Sequence, residues 1–301
     1  MSIKSTPIAR ALAAKMGIDI SQVVGTGIDG RILMDDIKNF KAQPAVASPK
    51  VSVSEPVSSS IAPAVSNTLT ASSEPISPIR KAIAKAMVNS WDNVAYTNLV
   101  HRIDMSNLWN ARNQIKDIVL KNENVKVTFL PYIIKASAIV LRSFPKFVAK
   151  YNETKQTLDY PGAINIGIAI DTEAGLMTAT VNNADKLSVI DIAKEVSRLA
   201  AAARNKTLKP SDIKGAGFTL TNYGSVGSLW GVPVINYPEL AIGGIGAIVD
   251  EAVIKNGQVV PGKIMYLTVA ADHRWIDGAE IGKFASKVKE LLENPELLGV
   301  Y

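Results

Sequence analysis

Between residues 41 and 75 the chain offers nothing to fold around. The stretch KAQPAVASPKVSVSEPVSSSIAPAVSNTLTASSEP carries five prolines and nine serines, no glycine and no aromatic residue, and two lysines against two glutamates. Such a segment cannot bury enough apolar surface to offset the entropy of ordering it, so it reads as an extended linker. At ~3 Å per residue in polyproline geometry it reaches roughly 100 Å. It divides the 301 residues into a small module at 1–40, the linker at 41–75 and a larger domain at 76–301. The overall hydrophobic content of 47% is enough to fill a real core in the larger part.

Composition then removes whole classes of chemistry. Cysteine is absent, which excludes disulfides, thiolate metal sites and a cysteine nucleophile together. The histidines are His101 and His273 alone, so a His-rich metal site is excluded, no metal is expected, and an imidazole base has two candidates. The net charge of +6 is spread without a Lys/Arg run. That balance points to acidic partners and anionic ligands such as phosphorylated cofactors before nucleic acid. No apolar stretch is long enough to span a membrane. The opening Met1-Ser2-Ile3-Lys4-Ser5-Thr6 has neither signal-peptide nor transit-peptide character, so a cytoplasmic location is expected.

In the small module, Ser5 or Thr6 can cap a helix with Pro7 at its first position, and Ile8, Ala11 and Leu12 recur at helical spacing until Gly17. Gly25-Thr26-Gly27-Ile28-Asp29-Gly30 fits the G-x-G-x-x-G dinucleotide pattern. That pattern has meaning between a strand and a helix, whereas here a helix precedes it and the module ends near Phe40. A glycine-shaped loop leading to a second helix, Met34–Phe40, is the better reading. The larger domain alternates. Ser77 and Pro78 open a helix whose Ile79, Ile83, Met87 and Trp91 form one apolar stripe. A strand at 94–103 contains His101, read as a sheet residue without special role. Asp104 is placed to cap the next helix, which carries Leu108, Ile115, Ile118 and Val119, and a very apolar helix follows from about Leu130 to Phe144. Strands are expected at 164–170, 217–221, 240–249 and 264–271, with helices from Ser188 to Arg204 and from Asp277 to Leu292. The alternation predicts an α/β domain around one sizeable sheet, with a small all-α module beside it.

The apolar strand at 264–271 runs straight into Asp272-His273-Arg274-Trp275-Ile276-Asp277-Gly278. A polar cluster at the carboxyl end of a buried strand is where α/β proteins place reactive groups, which makes His273 the better base. The other reading is a structural histidine satisfied by Asp272 or by a backbone carbonyl. Phe218-Thr219-Leu220-Thr221-Asn222-Tyr223-Gly224-Ser225-Val226-Gly227 ends in hydroxyls and glycines able to meet an oxyanion, though a Thr-rich strand before a Gly-Ser loop is also ordinary hairpin chemistry. No G-x-S-x-G nucleophile elbow occurs, against an α/β-hydrolase.

These two motifs, with Pro233-Val234-Ile235-Asn236-Tyr237-Pro238-Glu239-Leu240-Ala241-Ile242 between them, closely resemble the catalytic domain of dihydrolipoamide acyltransferases, the acyltransferase subunits of 2-oxo acid dehydrogenase complexes. Gly175-Leu176-Met177 and Pro78-Ile79-Arg80-Lys81 extend the resemblance over essentially all of 76–301. Independently, Thr6-Pro7-Ile8-Ala9-Arg10 and Val24-Gly25-Thr26-Gly27-Ile28-Asp29-Gly30-Arg31-Ile32 look like the peripheral subunit-binding domain of the same proteins.

The resemblance implies a chloramphenicol acetyltransferase-like fold with a mixed sheet, a homotrimer with active sites between subunits, and a hollow core of 24 or 60 subunits. It implies that His273 of one subunit acts as base on the coenzyme A thiol, with acetyl-dihydrolipoamide as donor, and that Thr221 of the neighbour, where many relatives carry serine, donates to the oxyanion. Asp277 matches the second polar position and orients the site; Arg80 meets coenzyme A phosphates. Arg10 and Arg31 match basic positions that grip the acidic surfaces of the pyruvate decarboxylase or dihydrolipoamide dehydrogenase subunits, while Ala14 departs from the pattern and Lys15 beside it compensates poorly. The tail Pro295–Tyr301 is too apolar to be idle, and either docks into an adjacent trimer or folds onto its own subunit. No lipoyl domain is present: Asp185-Lys186 precedes an expected helix and does not sit on a hairpin tip, so the lipoyl group is expected from outside this sequence, on a lipoyl domain. The Gly231–Pro238 stretch is closer to pyruvate-complex members than to branched-chain or succinyl ones, which remain the alternatives. A free-standing acetyltransferase for small hydroxyls or amines is disfavoured by the binding module and linker. A catalytically idle scaffold is disfavoured by the joint retention of His273, Thr221 and Asp277.

Overall fold

A computed structural model describes residues 5–27, 30–40, 73–173 and 175–301. The linker expected at 41–75 lies outside the described residues up to residue 72, and so do Ile28 and Asp29 of the glycine motif. The chain divides into two compact units, Met1–Ala71 and Ser72–Tyr301.

In the first unit, helix α1 (Pro7–Met16) starts where Thr6 accepts the Ala9 N–H on its side chain and Pro7 occupies the first turn. It stops at Gly17, whose φ of 66° is the left-handed conformation open to a residue without Cβ. The face that packs is not the one expected: Ala9 and Ala13 are buried, whereas Ile8 is 65% exposed. Small residues let the helix approach Val23, Ile32 and Ile37 closely, and Leu12 packs against the edge of this core while Ile8 stays outside it. Helix α2 (Met34–Lys38) ends earlier than expected. Its Asp36 carboxylate accepts from the Thr26 N–H and hydroxyl at 3.0 and 2.7 Å and from the Leu33 N–H at 2.8 Å, tying the glycine turn to the helix. Those hydrogen bonds hold the carboxyl below its usual pKa. The turn joins helices, as expected, and not a strand to a helix.

The second unit opens with α3 (Pro78–Asn93), capped by Ser77. Then follow β1 (Tyr96–Asp104), α4 (Ser106–Glu123), α5 (Phe129–Leu141), the hairpin β2 (Lys150–Asn152) and β3 (Thr157–Asp159), β4 (Ile166–Ile170) and β5 (Met177–Val181). Next come α6 (Val189–Arg204), β6 (Phe218–Asn222), β7 (Ala241–Ile245), β8 (Val249–Lys255), β9 (Gln258–Asp272) and α7 (Gly278–Glu293). Seven strands form one sheet in the order β1-β9-β7-β6-β4-β5, with β8 paired to β9. β4, β6 and β7 run parallel and the other pairings are antiparallel, so the sheet is mixed. No described helix is long and apolar enough to cross a membrane.

β9 is the axis of this sheet. Its second half is hydrogen-bonded to β1 along one edge and β7 along the other, and its side chains are buried on both faces, which accounts for the unbroken apolar run. Its first half pairs with β8 across Asn256-Gly257, with φ of 52° and 76°, the two left-handed positions that a tight two-residue hairpin requires. The strand is longer than the expected 264–271 because that first half is mostly exposed and lacks a continuous apolar signal. α5 is buried on every side from Pro131 to Leu141, which explains its all-round hydrophobicity. Its one charged residue, Lys135, donates to the Asp185 carbonyl at 2.7 Å, and burial pushes its pKa down. Asp185 thus serves the core ahead of α6. The capping box of Ser188 with Asp191 opens α6 as expected.

The α3 stripe faces outward: Ile79, Met87 and Trp91 are 52%, 38% and 61% exposed, and Ser90 is the one buried residue of the helix. Two expectations are corrected. Asp104 ends β1 and is not itself the N-cap of α4, although its carboxylate accepts from the Ser106 N–H at 3.0 Å. α5 ends at Leu141 and not Phe144, since Pro145 opens a separate 3-10 turn, Pro145–Val148. The tail forms a 3-10 turn, Pro295–Gly299, with Leu298 buried against its own unit and Val300 and Tyr301 exposed.

Helix α7 is fastened by aromatic packing. Phe284 stacks on Phe147 at 4.6 Å between centroids and meets Phe144 and Phe218 edge-on at 5.8 and 5.6 Å. Truncation leaves a cavity these rings cannot fill, so Phe284→Ala is expected to cost about 3–5 kcal/mol, read from urea unfolding at fixed protein concentration.

Candidate active site

The end of β9 delivers the polar cluster. The Asp272 N–H donates to the Leu240 carbonyl at 2.9 Å, and the His273 N–H to the Ala95 carbonyl at 2.8 Å, so the backbone is pinned from both neighbouring chain segments. The Asp272 carboxylate is fully buried. It accepts from Arg274: Nε lies 3.0 and 3.1 Å from its two oxygens, Nη2 lies 2.6 Å from Oδ2, and the Arg274 N–H reaches Oδ1 at 3.1 Å. Arg274 also donates to the Asn93 carbonyl and lies over the Tyr151 and Trp275 rings at 5.4 and 5.6 Å. A bidentate guanidinium offsets the desolvation of a buried carboxylate and locks the turn. Ile276, fully buried, anchors the turn from below.

His273 is therefore not the partner of Asp272. Its side chain is 50% exposed and faces Asp277, with Nδ1 3.8 Å from Oδ1, within electrostatic reach but beyond a hydrogen bond. Asp277 stands at the N-cap of α7, its N–H donating to the Glu280 carboxylate at 3.2 Å. With Nδ1 turned to a carboxylate, Nε2 is left for a ligand. His101 lies in β1 opposite Leu267, its Nδ1 buried without a hydrogen-bond partner, and burial with Lys289 nearby pushes its pKa down. It is a neutral sheet residue, as read from sequence.

Thr221 lies elsewhere. Thr219, Thr221 and Tyr223 share one face of β6 and line a cavity of about 400 Å³, with Ile83, Met87, Leu176 and Asn236 among the other walls. Among the described residues the Thr221 hydroxyl has no hydrogen-bond partner, whereas the Ser225 hydroxyl donates to the Asn222 carbonyl at 2.9 Å and is thereby withdrawn from the expected oxyanion-binding loop. Tyr223 donates to Thr268 at 3.0 Å, bracing the loop behind Thr221. Gly224 permits that loop to close, since a Cβ there would meet the Gly246 carbonyl at 2.4 Å. Arg80 sits one turn ahead of Ile83 on the same side of α3, its Nη2 3.5 Å from where a Cβ of Gly175 would stand. That puts a cation at the cavity rim.

The register separates the two reactive groups within one chain. Thr221 is level with Gly244 of β7, which is level with Thr268 of β9. His273 lies five residues further along β9, roughly 16 Å at the rise of a strand. His273 and Asp277 are brought together, and Thr221 with Arg80 at the other cavity, but the two pairs do not meet. Thr219 and Tyr223 were legible from the two-residue period around Thr221. Asn236, which lines the cavity from a loop, and Glu239 behind it carry no periodic signal. Arg10 and Arg31 are exposed on the first unit, and Arg10 Nε donates to the Ser5 hydroxyl at 2.7 Å. Among the described residues, no group of three or more acidic, histidine or cysteine side chains could hold a metal ion.

Residues 69–300 match the 2-oxoacid dehydrogenases acyltransferase (catalytic domain) family. The chain belongs to that family. Residues 3–38 of this acyltransferase match the e3 binding domain. The dihydrolipoyllysine-residue acetyltransferase component of the pyruvate dehydrogenase complex of Bacillus subtilis is 38% identical over 296 residues, covering 97% of this chain and 67% of that protein. A crystal structure of a probable dihydrolipoamide acetyltransferase from Listeria monocytogenes superposes with a TM-score of 0.72 at 33% identity, covering 74% of this chain and 95% of its own. The cubic core of a pyruvate dehydrogenase multienzyme complex gives 0.73 at 29% identity, covering 79% and 98%.

Asp272→Asn removes the charge complement of Arg274 and turns a buried NH2 toward the guanidinium donors. It is expected to lower unfolding stability by about 1–3 kcal/mol and to disorder the His273 turn, measured by urea unfolding beside activity.

Proposed function

We propose that this acyltransferase moves an acetyl group from S-acetyldihydrolipoamide to coenzyme A and forms the core of a pyruvate dehydrogenase complex, with each active site shared between two copies of the chain. The carrying observation is the separation of His273 from Thr221 within one chain, with neither side chain engaged in an internal hydrogen bond. Two groups of this chemistry, each presented outward, complete one another when His273 of one subunit faces Thr221 of the next. The exposed apolar face of α3 and the neighbouring Val226 and Trp230, 81% and 57% exposed, are the surface such a contact would cover. A homotrimer satisfies the pairing for every subunit, and trimers assemble into a hollow 24- or 60-subunit core.

In this site His273 Nε2 takes the proton of the coenzyme A thiol, and the thiolate attacks the acetyl thioester. The Thr221 hydroxyl donates to the oxyanion of the tetrahedral intermediate. Collapse expels the dihydrolipoamide sulfur, which recovers the proton from the imidazolium. Asp277 orients the ring across 3.8 Å. Arg80 holds a coenzyme A phosphate at the rim. The module at 1–40 uses Arg10 and Arg31 on acidic surfaces of the decarboxylase or dihydrolipoamide dehydrogenase subunits, tethered through 41–75 to the catalytic domain at 76–301. The lipoyl group arrives on a lipoyl domain, and the whole assembly works in the cytoplasm. The naming of the 38%-identical relative supports acetyl and pyruvate over other acyl groups.

His273→Ala is expected to abolish acetyl transfer in a thioester-absorbance assay while light scattering reports an unchanged assembly; full activity in that variant refutes the assignment. Thr221→Val is expected to lower kcat by ~10²–10³ with KM little altered. Wild-type enzyme offered acetyl, succinyl and isobutyryl donors should prefer acetyl, and a preference for either of the others reassigns the complex.

A further inference from the structure

The Thr221 cavity has a polar wall that this chemistry does not use. Thr219 stands two residues before Thr221 on the same face of β6, and Asn236 lines the same cavity. Both lead to one carboxyl group. Glu239 is 2% exposed, its Oε2 accepting from the Thr219 hydroxyl at 2.7 Å and its Oε1 from the Asn236 amide at 3.1 Å. The space is built for this contact: a Cβ on Gly167 of the adjacent β4 would come 2.6 Å from Thr219 Oγ1. Burying a carboxyl costs stability that an apolar side chain would avoid, and no cation closes on this one within salt-bridge distance.

We propose that Glu239 is a positioning residue that sets the hydrogen-bonding polarity of the cavity wall, drawing the Thr219 proton inward so that the hydroxyl oxygen faces the cavity as acceptor for a secondary-amide N–H of the bound thiol arm. The inference rests on the acetyl-transfer reading, because both thiol substrates of that reaction carry amides along their flexible arms.

Donor counting gives the orientation. An ionised carboxylate only accepts. The single Thr219 proton must then point at Glu239, and Asn236 must turn its NH₂ to the carboxylate, which fixes where its carbonyl goes. A protonated carboxyl reverses Thr219: the acid O–H donates to it, and the threonine proton turns outward. Burial pushes the Glu239 carboxyl up to about 7, with the Thr219 and Asn236 hydrogen bonds and Lys150 of β2 opposing the rise. Among the described residues Lys150 is the charged group that acts on it, and Thr219 and Asn236 are neutral. The acceptor polarity therefore belongs to pH above about 7 and is lost as pH falls through that value.

The test uses the assembled enzyme and its Glu239→Gln and Thr219→Val variants. Apparent KM for coenzyme A and for dihydrolipoamide, the latter with acetyl-coenzyme A as donor, is measured across neutral pH, with calorimetric binding of coenzyme A alongside. One KM is expected to rise about ten-fold in both variants, the effect of one hydrogen bond, with kcat within about twofold and both variants folded at the assay temperature. A rise confined to coenzyme A assigns the amide to the pantetheine arm, and one confined to dihydrolipoamide assigns it to the lipoyl arm. Affinity for that substrate should weaken below neutral pH in wild type and stay flat in Glu239→Gln. Unchanged KM for both substrates, a kcat loss that tracks unfolding, or the same pH limb in Glu239→Gln and wild type overturns the inference. Should Glu239→Gln fail to fold, Thr219→Val alone decides by its KM. An active wild type with indifferent variants sinks only the role of Glu239, whereas a wild type that neither binds nor transfers sinks the acetyl-transfer reading and this inference with it.

Discussion

The chemistry of this chain depends on how the last residues of β9 are held. A strand buried on both faces between β1 and β7 cannot rotate or slip without moving every side chain off its face, so its end is a fixed point in the molecule. Asp272 extends that rigidity one residue beyond the apolar run. Its buried carboxylate, gripped by the Arg274 guanidinium, converts the strand end into a defined turn. His273, between the two ion-paired residues, contributes only its backbone to this lock. The imidazole is consequently free of structural duty and is held at a stable position beside Asp277.

The same sheet separates what it positions. Parallel β4, β6 and β7 bring Thr219, Thr221 and Tyr223 to one cavity, while antiparallel β9 carries His273 away from it. A single copy thus keeps the two candidate groups apart. The outward apolar stripe of α3 has the same character: amphipathic in the sequence, yet not satisfied by its own core. Both features have one cause, a fold whose interior is already filled by α5, α7 and the sheet and which leaves these apolar and polar groups at its surface.

Within the cavity, polarity is set from behind. Glu239 touches two lining groups without itself reaching the cavity surface. A buried carboxyl in that place links the ionisation of one hidden group to the pattern of donors and acceptors that a substrate arm meets.

Several features were legible because they are local. Period-two spacing gave β4 and β6, an unbroken apolar run gave the buried half of β9, cap residues Thr6, Ser77 and Ser188 marked helix starts, and Asp272–Gly278 stood out at a strand end. The two-layered identity of the chain was equally plain in the linker and the motif order. The exposed half of β9 was missed, although Asn256-Gly257 signals its hairpin, and so was β5, although Met177–Val181 alternates apolar and polar residues; β2 and β3, at three residues each, are too short to show a pattern. The sequence by itself determined which residues can react and in which elements they lie, since periodicity and capping act over a few residues. Tertiary structure alone decided that Asp272 serves Arg274 and not His273, that α3 faces outward, that Ala9 and Ala13 displace Ile8 from the small core, and that Thr221 and His273 lie on strands whose register keeps them apart. Each of those outcomes depends on partners distant along the chain, and competition for a filled interior cannot be read from any short window.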